Sequence, residues 1–173
     1  MDRIWKMSLL ITAIIISDQL TKGAIQQNFF LGESTTIIDG LFNLTYVRNT
    51  GAAFGMGRGA PEFIRVSFFL IVPVFACFWM IYLIWAERHR NGLLCLAYSL
   101  IFAGAVGNLI DRFTLKYVVD FLDFHYKEHH FPSFNIADAA ISIAAGLLII
   151  DYFIQRKLLK EQAKEVEQSK GSA

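Results

Sequence analysis

Leu93-Leu94-Cys95-Leu96-Ala97-Tyr98-Ser99-Leu100-Ile101-Phe102-Ala103-Gly104-Ala105-Val106-Gly107-Asn108-Leu109-Ile110 runs without a charge and closes on Asp111-Arg112. A helix needs ~20 mainly apolar residues to cross a bilayer, so this stretch reads as a membrane span. Three more segments have the same character. Ile4 to Ile25 is broken by Asp18 and Lys22. Phe63 to Trp85 holds only Arg65, and Phe134 to Ile154 carries Asp138 near its start and Asp151 near its end. Spans are expected at about 4–25, 63–85, 93–112 and 134–154, with a polar helical tail over 155–173.

Composition agrees. The 173 residues are 55% hydrophobic and only 18% charged, with mean hydropathy +0.45. Soluble domains average nearer a quarter charged. The chain therefore reads as one integral membrane domain, mainly α-helical. A formal net charge of +1 excludes the basic excess of a nucleic-acid binder. Two cysteines are too few for a disulfide framework. Arg3 and Lys6 before an apolar run imitate a signal peptide. No A-x-A-like site follows, so a retained helix is expected.

Lys/Arg counts in the connections set orientation. The N-terminal tip, the 86–92 loop and the tail total nine, against five in the two longer connections. Both termini are expected at the cytoplasmic side, with the longer connections outside. In the first of these, Thr35-Thr36-Ile37-Ile38 precedes Asp39-Gly40, a favoured hairpin turn. Leu41 to Val47 then alternates, with Phe42, Leu44 and Tyr46 on one face. Pro61 suits the first turn of the second helix. Tyr117 to Phe124 is β-branched and aromatic and predicts a strand.

This layout gathers polar groups at one depth. Asp18 lies toward the outer end of the first helix. Asn108, Asp111 and Arg112 end the third, Asn135 and Asp138 begin the fourth, and Asp120 lies in the strand between them. Gly104, Gly107, Asn108 and Asp111 are spaced to share one helix face, where glycines permit close approach. Each residue also has a plainer role. Asn108 suits interhelical bonding, Asn135 an N-cap, and Asp111 with Arg112 an interfacial ion pair. Asp138 suits a first helical turn.

Asp120 shares its strand face with Val118, Leu122 and Phe124, and Asp123 projects the other way. Pattern alone barely separates them, with a slight preference for Asp120. Two carboxylates in a partly dry site cannot both ionise, so they share a proton. The ionised member can then deprotonate a water while the other donates to a carbonyl oxygen. No GxSxG is present, and the glycines of 51–59 lack the Lys-Ser/Thr of a P-loop. That segment reads as a flexible outer loop near a substrate entrance. His125, His129 and His130 offer only a weak metal site, with a solvated cluster the better reading. Cys77 and Cys95 read as apolar filler. A small cation-coupled transporter and a structural membrane subunit stay open, since intramembrane carboxylates mark transporters too. Their confinement to one depth argues against a conduction path.

Five blocks taken together resemble the lipoprotein signal peptidase (signal peptidase II) family. They are Asp18-Gln19-Leu20-Thr21-Lys22, Val47-Arg48-Asn49-Thr50-Gly51-Ala52-Ala53-Phe54, Gly104 to Arg112, Val118-Val119-Asp120-Phe121, and Phe134 to Ile141. They cover nearly the whole chain in the family's order. Ala105-Val106 within the glycine block is a small departure. The resemblance implies four transmembrane helices with a small extracytoplasmic β-cradle, in the bacterial inner membrane. It implies an aspartyl endopeptidase that cuts prolipoproteins before a diacylglyceryl-modified cysteine, with no cofactor and no metal. By family motif the catalytic pair maps onto Asp120 and Asp138, in preference to Asp123. Asp18, Asn49, Gly51, Asn108, Asp111, Arg112 and Asn135 map onto positions that shape the site or bind substrate. The expected partners are prolipoprotein and membrane lipids, not nucleic acid, and the expected state is a monomer.

Overall fold

The computed structural model describes residues 3–51 and 61–171. In chain order it contains α1 (Arg3–Asn28), β1 (Ser34–Ile38), β2 (Phe42–Asn49), α2 (Glu62–Glu87), α3 (Gly92–Thr114), β3 (Val118–Tyr126), β4 (His129–His130) and α4 (Ile136–Gly171). All four helices contain stretches long and apolar enough to cross a membrane. The glycine-rich segment read as an entrance loop falls mostly at 52–60, outside the described residues.

α3 is the centre of the bundle, and α1, α2 and α4 all pack on it. Its small residues make this possible. Cys95, Ala97, Ser99, Ala103, Gly104 and Gly107 are buried. A Cβ at Gly104 would collide with the Ala137 carbonyl and lie 2.7 Å from Ile141 Cγ1. Side chains bulkier than hydrogen would therefore hold α4 away. In lipid, helices associate through such close packing, because apolar surface gains little by leaving acyl chains. The remaining apolar surface stays outward: Phe75, Phe78 and Trp79 on α2 are all exposed.

Polar side chains tie the other end of the bundle. Asn91 caps α3, its Oδ1 accepting from Leu93 N at 2.9 Å and Leu94 N at 3.1 Å. Its Nδ2 donates to the buried Asp151 of α4 at 2.7 Å. Arg3 donates to the Arg88 carbonyl at 2.8 Å, placing a cation where α2 leaves carbonyls unpaired. Pro61 occupies the N-cap of α2 and not its first turn.

The strands form one antiparallel sheet in the order β1-β2-β3-β4. Gly40, with φ +70°, supplies the left-handed residue of the Asp39-Gly40 turn. The expected regular alternation of β2 is interrupted. Leu44 pairs with Leu122 but Val47 pairs with Asp120, so β2 carries one extra residue between them. This bulge changes which β2 residues share a face with Asp120. Phe42 and Leu44 do so before it, Val47 and Asn49 after it.

The fourth helix starts at Ile136, two residues later than expected. Phe134 is held by β3 instead: its carbonyl accepts from Phe121 N at 3.0 Å and Leu122 N at 2.8 Å, and its own N–H donates to the Leu122 carbonyl. Beyond the bilayer-length portion, α4 continues without a break through the polar tail. A cluster of Ile25, Tyr46, Val119 and Phe121 seats the sheet against the end of α1.

Candidate active site

Three helix ends and one strand meet beneath the sheet. At the end of α1, Asp18 and Lys22 stand one turn apart and bond at 2.8 Å, both essentially buried. Lys22 also pairs with Asp111 of α3 at 3.1 Å. An Asp111–Arg112 ion pair, one of the sequence expectations, is therefore not what forms. Asp111 turns to Lys22 and accepts from Val119 N at 3.0 Å. Asp18 accepts from Ala137 N at 2.9 Å, in the first turn of α4. Gln19 joins both acids, donating to Asp18 at 3.2 Å and Asp111 at 3.0 Å. One ion cluster thus fixes α1, α3, β3 and α4 to each other. Buried charges need partners of this quality, because desolvation alone is very costly.

Above the cluster lie three asparagines, each with its amide oxygen already engaged. Asn108 Oδ1 accepts from Lys22 Nζ at 3.0 Å and from Asn135 Nδ2 at 3.2 Å. Asn135 Oδ1 accepts from Asp138 N at 2.9 Å, and Asn49 Oδ1 from Gly51 N at 3.0 Å. Each amide must then turn its NH₂ the other way. Asn108 donates to Asp138 Oδ1 at 2.7 Å. Asn135 donates to Asp120 Oδ1 at 2.7 Å, and Asn49 to Asp120 Oδ2 at 3.0 Å. Asn135 is thus both N-cap of α4 and partner of Asp120.

Asp120 and Asp138 line one cavity of about 950 Å³. Asn49, Gly51, Asn108 and Arg112 also line it, with Phe134 and Ile141 among its apolar walls. Burial raises the Asp120 carboxyl from its usual range to about 7, and the neighbouring charge of Asp138 adds to that push. The hydrogen bonds from Asn49 and Asn135 oppose it without cancelling it. Arg112 reaches the Gly51 carbonyl at 3.5 Å and lies 5.7 Å from the Phe69 ring. A carboxyl of raised pKa beside a second carboxyl, amide donors and a cation can activate water and stabilise a carbonyl oxygen.

Asp123, three residues along β3, faces elsewhere. It contacts His130 Nδ1 at 2.9 Å and accepts from Thr45 Oγ1 at 3.1 Å. The histidines sit on a β-hairpin: His125 pairs and stacks with His130, while His129 pairs with Tyr126. No cluster of His, Cys, Asp and Glu suited to a metal is found among the described residues.

Sequence reading named Asp18, Asn49, Gly51, Asn108, Asp111, Arg112, Asp120, Asn135 and Asp138, and all nine lie in or directly beneath this site. It passed over Lys22 and Gln19 as site residues. The available signal was a lysine at i+4 from an intramembrane aspartate, a spacing that pairs the two on one helix face.

The chain is similar to known proteins in sequence and to solved ones in fold. Lipoprotein signal peptidase of Syntrophus aciditrophicus (strain SB) is 42% identical over 150 residues, covering 86% of this chain and 93% of that protein. Lipoprotein signal peptidase of Shewanella loihica (strain ATCC BAA-1088 / PV-4) is 44% identical over 149 residues, 85% of each chain. A solved bacterial membrane enzyme superposes with TM-score 0.79 at 34% identity, covering 88% of this chain and 90% of that one. A second bacterial membrane enzyme gives 0.71 at 33%, covering 86% and 93%. The family model for signal peptidase (SPase) II matches residues 10–154, from within α1 to Ile154 of α4. With that span, and with relatives at this identity over most of their length, the chain belongs to the signal peptidase II family.

Proposed function

We propose that this protein is an aspartyl endopeptidase that removes signal peptides from prolipoproteins, cutting before a diacylglyceryl-modified cysteine. Asp120 and Asp138 are its catalytic pair. The observation that carries this reading is the shared cavity: a buried carboxylate, Asp120, and a half-buried one, Asp138, both line it, each steered by an asparagine amide whose orientation is already committed.

Asp120, with its pKa near 7, holds the shared proton. Asp138, in the first turn of α4, is the ionised member, favoured there by the helix dipole. Asp138 takes a proton from water as the water oxygen bonds to the scissile carbonyl carbon. Asp120 gives its proton to the carbonyl oxygen. Collapse returns that proton to Asp120 as the C–N bond breaks, and Asp138 passes the water proton to the leaving nitrogen. The two titrate as a pair, with macroscopic pKa values. Asn49 and Arg112, which line the cavity, suit the backbone of an extended segment around the scissile bond.

The surroundings fit an acylated substrate. α2 and α4 each pack broadly on α3 and hardly on one another among the described residues. Apolar Phe134 and Ile141 line the cavity beside Asn108 and Asp138 and suit acyl chains. The Lys/Arg bias supports cytoplasmic termini and a site at the outer face of the inner membrane.

The test is incubation of purified protein with diacylglyceryl-modified prolipoprotein, with unmodified precursor as control. Cleavage of the modified form alone is expected. Equal cleavage of both would remove the lipid requirement, and cleavage by Asp138→Asn at the wild-type rate would remove the mechanism.

A further inference from the structure

We propose that Lys22 is a positioning residue for the acid–base step, acting on Asp138 through the amide of Asn108. This rests on the two-carboxylate reading above. The side chain is 2% exposed, so it does not reach solvent or the cavity. Its Nζ makes three contacts: Asp18 Oδ2 at 2.8 Å, Asp111 Oδ2 at 3.1 Å and Asn108 Oδ1 at 3.0 Å. An ammonium has three donors, so all are in use.

The third contact decides the state of the site. An asparagine amide can be turned end for end at little local cost. Turned over, Asn108 would present its oxygen to Asp138, acceptor against acceptor, and that carboxylate would lose its 2.7 Å donor. The Lys22 N–H donor beside Oδ1 disfavours this orientation, since the turned amide would set donor against donor. Asn135 Nδ2 also reaches Asn108 Oδ1, at 3.2 Å, but it divides its donors among Asn108, Asp120 and the Val119 carbonyl. Lys22 is the stronger, charge-assisted lock. Asp18 and Asp111 balance its charge and aim it. Their other bonds, to Ala137 N and Val119 N, tie that aim to α4 and β3, which carry the two carboxylates.

The charged groups against Lys22 are Asp18 and Asp111, with Asp138 one amide away. A carboxylate that loses a hydrogen-bond donor is harder to ionise. Lys22→Met should lower kcat about 10- to 100-fold, the scale of a small misplacement of a catalytic group. KM should stay nearly unchanged, because Lys22 does not itself line the cavity and touches it only through Asn108. The acid limb of the kcat profile should move to higher pH. Lys22→Arg keeps a charged donor beside Oδ1 and should recover most of kcat and the original profile.

Lys22→Met leaves two buried aspartates short of one cation, which risks the fold. Lys22→Met/Asp111→Asn removes one charge of each sign and keeps an acceptor for Val119 N. It should show the same kcat loss and the same shift of the acid limb. Folded Lys22→Met or double variant with a wild-type pH profile would overturn the positioning role, as would equal loss in Lys22→Arg. If Asp120→Asn and Asp138→Asn are inactive in that case, the two-carboxylate reading survives. If those variants cleave, that reading fails independently of Lys22.

Discussion

Asp120 and Asp123 lie three residues apart on β3, both buried, on opposite faces. Asp120 meets two neutral amides and another carboxylate, and burial drives its pKa to about 7. For Asp123 burial pushes the same way, but bonds from His130, Thr45 and Asn43 outweigh it and hold the carboxyl below its usual range. One face keeps a proton available at neutral pH and the other keeps a stable anion. The difference comes from what each face meets: the end of a membrane bundle on one side, a polar hairpin on the other.

The largest expected consequence is in activity. Asp120→Asn should reduce cleavage about 10²- to 10⁴-fold, the usual worth of a general acid or base, measured as single-turnover cleavage of acylated prolipoprotein. Asp123→Asn should stay within a few-fold of wild type. Equal loss at both positions would erase the distinction between the faces.

Gly104→Ala should act on the Asp120 side alone. The added methyl displaces α4 at Ala137 and Ile141 and so moves Asp138 away from Asn108. Overpacking of this kind costs about 1–3 kcal/mol, read as a lower Tm in detergent with reduced kcat. The linkage of Asp123 to stability should be unchanged.

Stability should respond to pH with opposite signs at the two aspartates. A raised pKa favours the fold while the carboxyl is protonated. The Asp120 contribution is full below its unfolded value and lost as pH rises through about 7. Asp120→Asn should therefore flatten the fall in Tm over that window. A depressed pKa does the reverse. The Asp123 contribution is present above its unfolded value and lost as pH falls through its lower folded value. Asp123→Asn should lower neutral-pH stability by about 1 kcal/mol, a typical hydrogen-bond loss, and match wild type in strong acid. His130→Ala, removing one half-exposed partner, should give the same effect on a smaller scale.

The helices were legible because membrane spans need only length and hydropathy, and the β1–β2 hairpin because Asp39-Gly40 favours its turn. The choice between Asp120 and Asp123 was not legible from pattern. Both alternate with apolar neighbours, and which of them meets Asn49 depends on a bulge in β2 that sets its register against β3. Helix α4 was expected two residues early because Phe134 is as apolar as the helix interior, and only its pairing with Leu122 excludes it. In the sequence Lys22 only interrupts an apolar helix. Its buried contacts are with Asp111 and Asn108, far away in sequence and brought within reach by the α1–α3 contact.

The most direct test of the paired carboxylates is a double-mutant cycle on acylated prolipoprotein, comparing wild type, Asp120→Asn, Asp138→Asn and the double variant. Groups that act as one unit are strongly non-additive. A shared-proton pair predicts that each single variant is nearly inactive and that the double variant is scarcely slower than either. Two partial losses that multiply in the double variant would contradict it.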